Sequence, residues 1–301
     1  MNELARVFVD AFAESWNGLR DALTGVRFDH VFWVLLVISA FAALLERTLP
    51  WREQQPVLRR DFWLDGFYML FNTVLFPVLG FQAAVATVGW VFEHWLGADR
   101  AAIFDLGGWP FWARALVFFV VRDFVQWHVH RLMHRVPWFW EFHKVHHSVH
   151  EMGFAASLRL HPLERVVYTA FESLGFALFG FQTGDYATVL VFTLLMGHLN
   201  HANVGWSYGP LRYLFSSPQM HSWHHARNLP ASHPIGVNFG ITLSLWDWLF
   251  GTAHWPHSAR DEPLGFPGDG TFPAGFLGQL AYPFRPRALR GVSDRPANPA
   301  P

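Results

Sequence analysis

Histidine carries most of the chemistry available to this sequence. The 301-residue chain has 18 His and no Cys. His130 and His134 stand four apart in "HRLMH", a spacing that puts both imidazoles on one face of a helix. His143, His146 and His147 in "HKVHH" have offsets of three and four. His221, His224 and His225 in "HSWHH" repeat that pattern 78 positions later. His198 and His201, three apart in "GHLNH", close a hydrophobic run. Neutral imidazole is a good ligand for iron, zinc, copper and nickel. A single pair is commonly a packing feature, but packing gives no reason for the same three-histidine spacing twice. These imidazoles exceed what one tetrahedral zinc or one octahedral ion can hold, so two metals sharing the cluster is the economical reading. Soluble di-iron bundles draw on Glu-x-x-His pairs, and no cluster histidine here has a Glu three residues before it. H-E-x-x-H is also absent, which argues against a zincin protease. An all-nitrogen, thiol-free donor set suits iron that activates dioxygen.

These histidines need elements to position them, and the composition says of what kind. Hydrophobic residues make up 52% of the chain and charged residues 15%, against about 25% charged in ordinary soluble domains. The 16 Trp and 31 Phe fit interfacial belts and an apolar lipid pocket. A net charge of -1 gives no reason to expect nucleic acid. Residues 2–27 alternate apolar and charged positions and show no secretory signal. They read either as an amphipathic helix lying on a membrane or as an ordinary surface helix. A first span candidate covers His30 to Leu45. The segment Glu46 to Asp61 follows with Arg47, Arg52, Arg59 and Arg60, which the positive-inside rule places in the cytoplasm. Phe62 to Leu96 is too long for one span and is interrupted at Pro77 and Gly80, as a helical hairpin would be. Residues 97–110 read as a loop. A helix from Phe111 to about Arg135 is roughly 36 Å long, so its last turns, with His130 and His134, should protrude from the bilayer before Pro137 ends it. Further runs lie at Leu163–Phe181 and Ala187–Leu199, and they form a second hairpin or only dip into the membrane. The expected fold is all-α, a multi-pass membrane helical bundle with a cytosolic histidine-rich cap. Its parts are an N-terminal amphipathic helix (1–28), a membrane-embedded domain (29–254) and an irregular Pro/Gly-rich tail (255–301).

The segments "HRLMH", "FHKVHHS", "LRLHPLE", "HSWHH" and "WDWLFGT" resemble the fatty acid hydroxylase and sterol desaturase superfamily over about Asp123 to Thr252. The resemblance implies a membrane di-iron oxygenase facing the cytosol that hydroxylates or desaturates lipid C–H bonds. It implies two iron ions, dioxygen as co-substrate, and electrons from a separate electron-transfer protein, since no haem or dinucleotide fingerprint is visible. It also implies His130, His134, His143, His146, His147, His221, His224 and His225 as ligands, with at least one more between the second and third clusters. His201 is favoured there, with His198 as its neighbour; the family often has H-x-x-x-H where this chain has H-x-x-H. The competing readings are a membrane metal-binding or metal-transport protein and a metal-dependent hydrolase.

Several other residues carry open alternatives. Asp123 lies seven residues before His130 on the same helical face, placed either to orient a ligand imidazole or to pair with Arg122. His161 precedes Pro162 and is a ligand, a substrate contact or a cap residue. Arg159 and Glu164 flank it and are placed to pair. Asn203 and Asn238 are candidates for hydrogen bonds near the site. His94, His128, His150, His233, His254 and His257 lack the paired spacing and are expected not to ligate. Trp127, Trp138, Trp140, Trp223 and Trp246 gather around the motifs, as interfacial anchors or as the wall of a lipid channel.

Overall fold

A computed structural model describes residues 2–96, 104, 106, 108–179, 181 and 183–286. Most of the expected 97–110 loop, and the tail beyond residue 286, lie outside them. Helices begin where a side chain or a proline settles the first turn. Asn2 accepts from the Ala5 N–H at 2.9 Å and opens α1 (Glu3–Thr24). His30 does the same for α2 (Val31–Thr48) through Phe32 N–H. Prolines hold the first positions of α6 (Pro137–His147), α7 (Pro162–Phe179) and α9 (Pro218–His224), where a missing N–H costs nothing. Pro137 thus both stops α5 (Phe111–Arg135) and starts α6, with Val136 between them. The remaining helices are α3 (Phe62–Leu70), α4 (Gln82–Leu96), α8 (Thr183–His201), α10 (Leu245–Leu249) and α11 (Phe276–Ala281). The described residues form no strand, only isolated bridges between Phe215 and Leu243 and between Ala226 and Leu264. The all-α expectation holds.

Among the described residues, two stretches are long and apolar enough to cross a membrane. They are α2 and the run from Phe62 to Trp95, each with a mean hydropathy of 1.8. The second passes from α3 through widened π-helical turns (Phe71–Leu75 and Pro77–Phe81) into α4. It bends at Gly80, whose φ of 120° only glycine adopts cheaply. Both stretches keep much of their apolar surface exposed, including Val37 and Leu44 on α2 and Leu79 and Trp95 on the second. α4 packs along α1, and Leu19 of α1 joins Val74 and Val78 in a small core beside Phe32.

α5 is longer than α2 but is not among the helices apolar enough to cross, because Arg114, Arg122, Asp123 and Arg131 interrupt it. Its central charges face the protein. Arg122 Nη2 lies 3.2 Å from Glu172 of α7, Gln126 donates to the same carboxylate at 2.7 Å, and Arg122 Nη1 reaches Thr193 of α8 at 3.3 Å. Several charge-assisted hydrogen bonds offset the desolvation of such a pair. The outward face of α5 is an exposed stripe of Trp112, Leu116, Val120 and Phe124 at i, i+4 spacing.

The C-termini of α2 and α8 meet at one end of the bundle. Glu46 near the end of α2 accepts from Asn203 N–H, just past α8, at 2.9 Å and from Phe154 N–H at 2.7 Å. The cap sits at that end. Two buried arginines tie it to α3: Arg59 pairs with Asp65, and Arg159 bridges Asp65 at 3.0 Å and Asp61 at 3.2 Å while donating to Ser148. Arg159 therefore pairs with these aspartates and not with Glu164, because α3 presents them on the side where the chain leaves the Phe154–Leu158 turn. Residues 255–286 are turns and short helices packed into the cap. Phe276 lies against Phe67, Tyr68 and Phe71, Gln279 accepts from Tyr68 Oη, and Ala259, Leu264 and Phe266 are buried.

Candidate metal centre

Each histidine cluster rides on an element whose geometry follows from its spacing. α5 ends with His130 and His134 on one face. α6 carries His143, His146 and His147, α8 ends in His201, and α9 supplies His221 and His224, with His225 as its cap. The fold brings these nine into two groups. His130, His134, His143, His147 and His224 form one, and His146, His201, His221 and His225 the other. Within each group the nitrogens lie within 4.8 Å of one another, and all nine residues are buried. The groups adjoin: the His147 and His225 rings are 4.5 Å apart. Neighbours in α6 serve different groups, since His146 and His147 diverge by one helical step.

Backbone carbonyls fix the tautomers of several rings. Nδ1–H of His130 donates to the Phe239 carbonyl at 2.7 Å, that of His134 to Ile235 at 3.1 Å and that of His224 to Val237 at 2.8 Å. His201 donates to Gly197 at 2.8 Å, and His143 Nδ1 lies 2.7 Å from the Glu164 carboxyl. A carbonyl only accepts, so in His130, His134, His201 and His224 Nδ1 bears the proton and Nε2 is a lone pair; burial pushes the Glu164 carboxyl up to about 8, so its contact orients His143 without fixing where the proton sits. Yet these Nε2 atoms face one another. His130 and His143 are 3.2 Å apart, His147 lies 3.2 Å from His134 and 3.1 Å from His224, and His201 lies 3.3 Å from His146 and 3.0 Å from His221. The Nδ1 atoms of His146, His221 and His225 meet no acceptor among the described residues, so for these rings it is the Nε2 geometry, and not the tautomer, that speaks for a ligand. Two imidazoles bound side by side to a first-row metal at about 2.1 Å would have nitrogens about 3.0 Å apart, so the arrangement fits a cation at the centre of each group. Burial first, then the neighbouring imidazoles, hold His146, His147, His221 and His225 well below the usual histidine range, and His224 likewise. The rings are therefore neutral, as ligands must be.

The backbone from Ile235 to Phe239 is central to this. Alternate carbonyls, those of residues 235, 237 and 239, orient three imidazoles from two helices. The segment is shaped by positive φ at Gly236 (136°) and Asn238 (52°). A Cβ at Gly236 would come within 3.1 Å of His134 Nδ1 and 2.9 Å of the Phe239 ring. Asn238 tolerates its left-handed conformation because its side chain is fully used: it donates to the Met220 and His254 carbonyls and accepts from His254 N–H. Asp247 of α10 anchors the far end. It accepts from Phe239 N–H at 2.9 Å, Gly240 N–H at 2.7 Å, Trp127 Nε1 at 2.9 Å and Thr252 Oγ1 at 2.6 Å.

The other expected residues lie around this core. Asp123 is buried, but its carboxylate accepts from Trp246 Nε1 at 2.8 Å and from the Thr242 and Leu243 amides, bonding to no imidazole; Arg122 goes to Glu172 instead. His198 stands outside both groups, with Nδ1 donating to Leu194 at 2.9 Å and Nε2 3.4 Å from Ser39 of α2. His161 is outside as well: its Nδ1 accepts from Leu163 N–H in a cap of α7, and its Nε2 lies 3.0 Å from the Leu280 carbonyl. His94, His128, His150, His233, His254 and His257 belong to neither group. Trp140 lies beside His134 and His147, Trp127 and Trp246 hold the aspartates, Trp223 donates to His257, and Trp138 is exposed.

A cavity of about 370 Å³ reaches the five-histidine group. His134, His147 and His224 line it, with Trp140, Ile235 and Phe266 among the apolar walls and Arg227 among the polar ones. None of the other four histidines does. It lies under residues 226–236 and 265–267 of the cap, not between the long helices.

Comparison with known proteins bears on this arrangement. The fatty acid hydroxylase family matches residues 115–252, which contain all nine grouped histidines. The ornithine lipid hydroxylase OlsE of Rhizobium tropici is 31% identical over 284 residues, 91% of this chain and 83% of its own. The chain belongs to the fatty acid hydroxylase and sterol desaturase superfamily. Human alkylglycerol monooxygenase is 31% identical over 134 residues, 44% of this chain but 29% of its own length. Methylsterol monooxygenase 2-2 of Arabidopsis thaliana is 28% identical over 147 residues, 46% and 52% of the two chains. No solved structure matches. Like these relatives, this superfamily member is an oxidoreductase.

Two residues that the sequence reading did not assign to the centre now stand out. Asp247 lies in "WDWLFGT" and Glu164 in "LRLHPLE". Glu164→Gln exchanges the carboxyl that pairs with His143 Nδ1 at 2.7 Å for an amide. Metal affinity of the five-histidine group is expected to fall by about 10- to 100-fold, measured by competition with a chelator. Unchanged affinity would detach Glu164 from the centre.

Proposed function

We propose that this oxidoreductase is a membrane-bound, dioxygen-dependent lipid hydroxylase in which each histidine group holds one iron. The observation that carries the reading is the convergence of Nε2 atoms at 3.0–3.3 Å within two buried groups, with the Nδ1 protons of His130, His134, His201 and His224 held by backbone carbonyls. Five nitrogens in one group exceed a tetrahedral zinc site, while octahedral iron retains open positions. Irons held there would supply the oxygen chemistry: with two external electrons and two protons, one oxygen atom of O₂ enters a C–H bond and the other leaves as water. The protein's share is to fix the imidazoles from behind through the 235–239 carbonyls and Glu164. The cavity delivers the target carbon to the five-histidine group, and Trp140, Ile235 and Phe266 keep bulk water away.

The exposed apolar surfaces of α2 and the Phe62–Trp95 run support a multi-pass placement. Arg47 in the last turn of α2, with Arg52 and Arg60 beyond it, lies at the cap end, which supports a cytosolic cap. Electrons would come from a separate protein. The relative that matches most of the chain is named for ornithine lipid, so that lipid is the first substrate to offer. Protein purified in nanodiscs is expected to hold about two irons per chain and to consume dioxygen only when both reductant and lipid are present, read by elemental analysis and an oxygen electrode. Zinc in place of iron with no dioxygen uptake would overturn the reading in favour of metal handling.

A further inference from the structure

The cap has an apolar face that none of the packing above uses. Leu211, Leu214, Leu245, Trp248, Leu249 and Phe250 are all exposed, Leu249 at 66% and Leu211 at 59%. They come from two pieces of chain, the turn Gly209–Tyr213 with the residue after it, and α10 with its C-cap Phe250. The two pieces are locked together. Ser244 Oγ and Trp248 Nε1 both donate to the Arg212 carbonyl, and the Tyr213 and Trp248 rings lie 4.8 Å apart. A contiguous apolar face of this kind is uncommon on soluble monomers and marks a contact.

Its position says what makes the contact. The outward stripe of α5 is apolar through Phe124, and the next residue of that stripe, His128, is polar and exposed. Phe250 packs at this changeover, its ring 6.3 Å from Phe124 and 6.1 Å from His128, and Trp246 is 4.8 Å from Phe124. The face is therefore continuous with the apolar flank of α5 and lies where that flank ends. Its composition matches the level: leucines, a Trp, a Tyr, and one cation, Arg212, drawn back over the Trp255 and Tyr213 rings at 4.6 and 5.2 Å. The acid of α10, Asp247, is turned inward and buried. Side chains of this mix favour the boundary between lipid headgroups and acyl chains.

We propose that the 209–214 turn and α10 dock into the headgroup–acyl boundary of the bilayer, as an in-plane anchor separate from the spanning helices. The proposal rests on the membrane placement above. The same short helix that meets lipid on its outer side holds Phe239 and Gly240 through Asp247 on its inner side. The anchor thereby sets the metal scaffold at a fixed height over the leaflet.

The absence of native cysteine permits a direct test. Single variants Leu249→Cys, Val37→Cys and Ser258→Cys, each carrying an environment-sensitive fluorophore, are placed in phosphatidylcholine nanodiscs. The lipids bear a nitroxide either near the headgroup or near the chain end. The label at 249 is expected to be quenched about twofold or more by the shallow nitroxide and little by the deep one. The label at 37 should respond to the deep nitroxide, and the label at 258 to neither. Quenching at 37 with none at 249 would overturn the anchor and leave the spanning helices standing. A label at 249 shielded from water yet unquenched would assign the face to a protein partner, and deep quenching there would place it among the chains; either overturns the proposal. No quenching at 37 or 249 would remove the membrane placement and the anchor together.

Discussion

Replacing His146 by alanine is expected to remove about one metal equivalent per chain, and replacing its neighbour His147 to remove about one from the other group. The two side chains leave α6 one residue apart and enter different groups. His146→Ala leaves three imidazoles in its group, all buried. His147→Ala removes the ring whose Nε2 lies between those of His134 and His224. Lipid hydroxylation should fall in both by more than the roughly 100-fold that loss of an orienting partner costs. Elemental analysis after purification, with thermal unfolding to confirm the fold, reads the result. Full metal content in either variant would refute the corresponding ligand, and equal loss of both metals from each would mean that the groups load as one unit.

A comparable effect on folding is expected from Asp247→Ala. Its carboxylate is buried and satisfies two backbone amides, an indole and a hydroxyl. Removal leaves Trp127 Nε1 and the Phe239 and Gly240 amides buried without acceptors, each costing about 1–3 kcal/mol where water cannot enter. A loss of roughly 3–5 kcal/mol follows for the cap, within the range for breaking a buried charged network. The Phe239 carbonyl would lose its anchor, so His130 would lose its orientation, and metal should leave the five-histidine group before the four-histidine one. Asp247→Asn is the milder comparison: one oxygen still accepts, while its amide meets the Gly240 N–H donor to donor. A variant as stable and as metal-rich as the parent would show that the 235–239 segment holds itself.

How much of this was legible in the sequence follows from how local each signal is. The grouped histidines sit in short motifs at helical spacing, so their convergence could be anticipated within each helix, and only the pairing of motifs needed the fold. Even so, spacing did not tell which of His146 and His147 belongs to which group. Glu164 and Asp247 were harder, because an acid near an apolar run reads equally as an ion-pair partner; what decides is a contact 21 residues away for Glu164 and one 120 residues away for Asp247. Asp123 is the converse. Its heptad spacing from His130 allows an imidazole or Arg122 as the partner, but the Thr242 and Leu243 amides and Trp246 of α10 take the carboxylate. The 235–239 carbonyls leave no side-chain signature, and only Gly236 and Asn238, residues tolerant of positive φ, mark the place. Hydropathy found α2 and the Phe62–Trp95 run. It could not show that the charges of α5 turn inward, since the inward partners come from α7 and α8.

The same five-residue segment has a consequence for how the cavity can change over generations. Ile235 gives its carbonyl to His134 and also lines the cavity. A carbonyl belongs to every amino acid, whereas the side chain is free to change. Substitution at 235 can therefore reshape the cavity while the His134 imidazole keeps its acceptor. The segment separates what must stay constant from what can be selected, and it does so within a single residue.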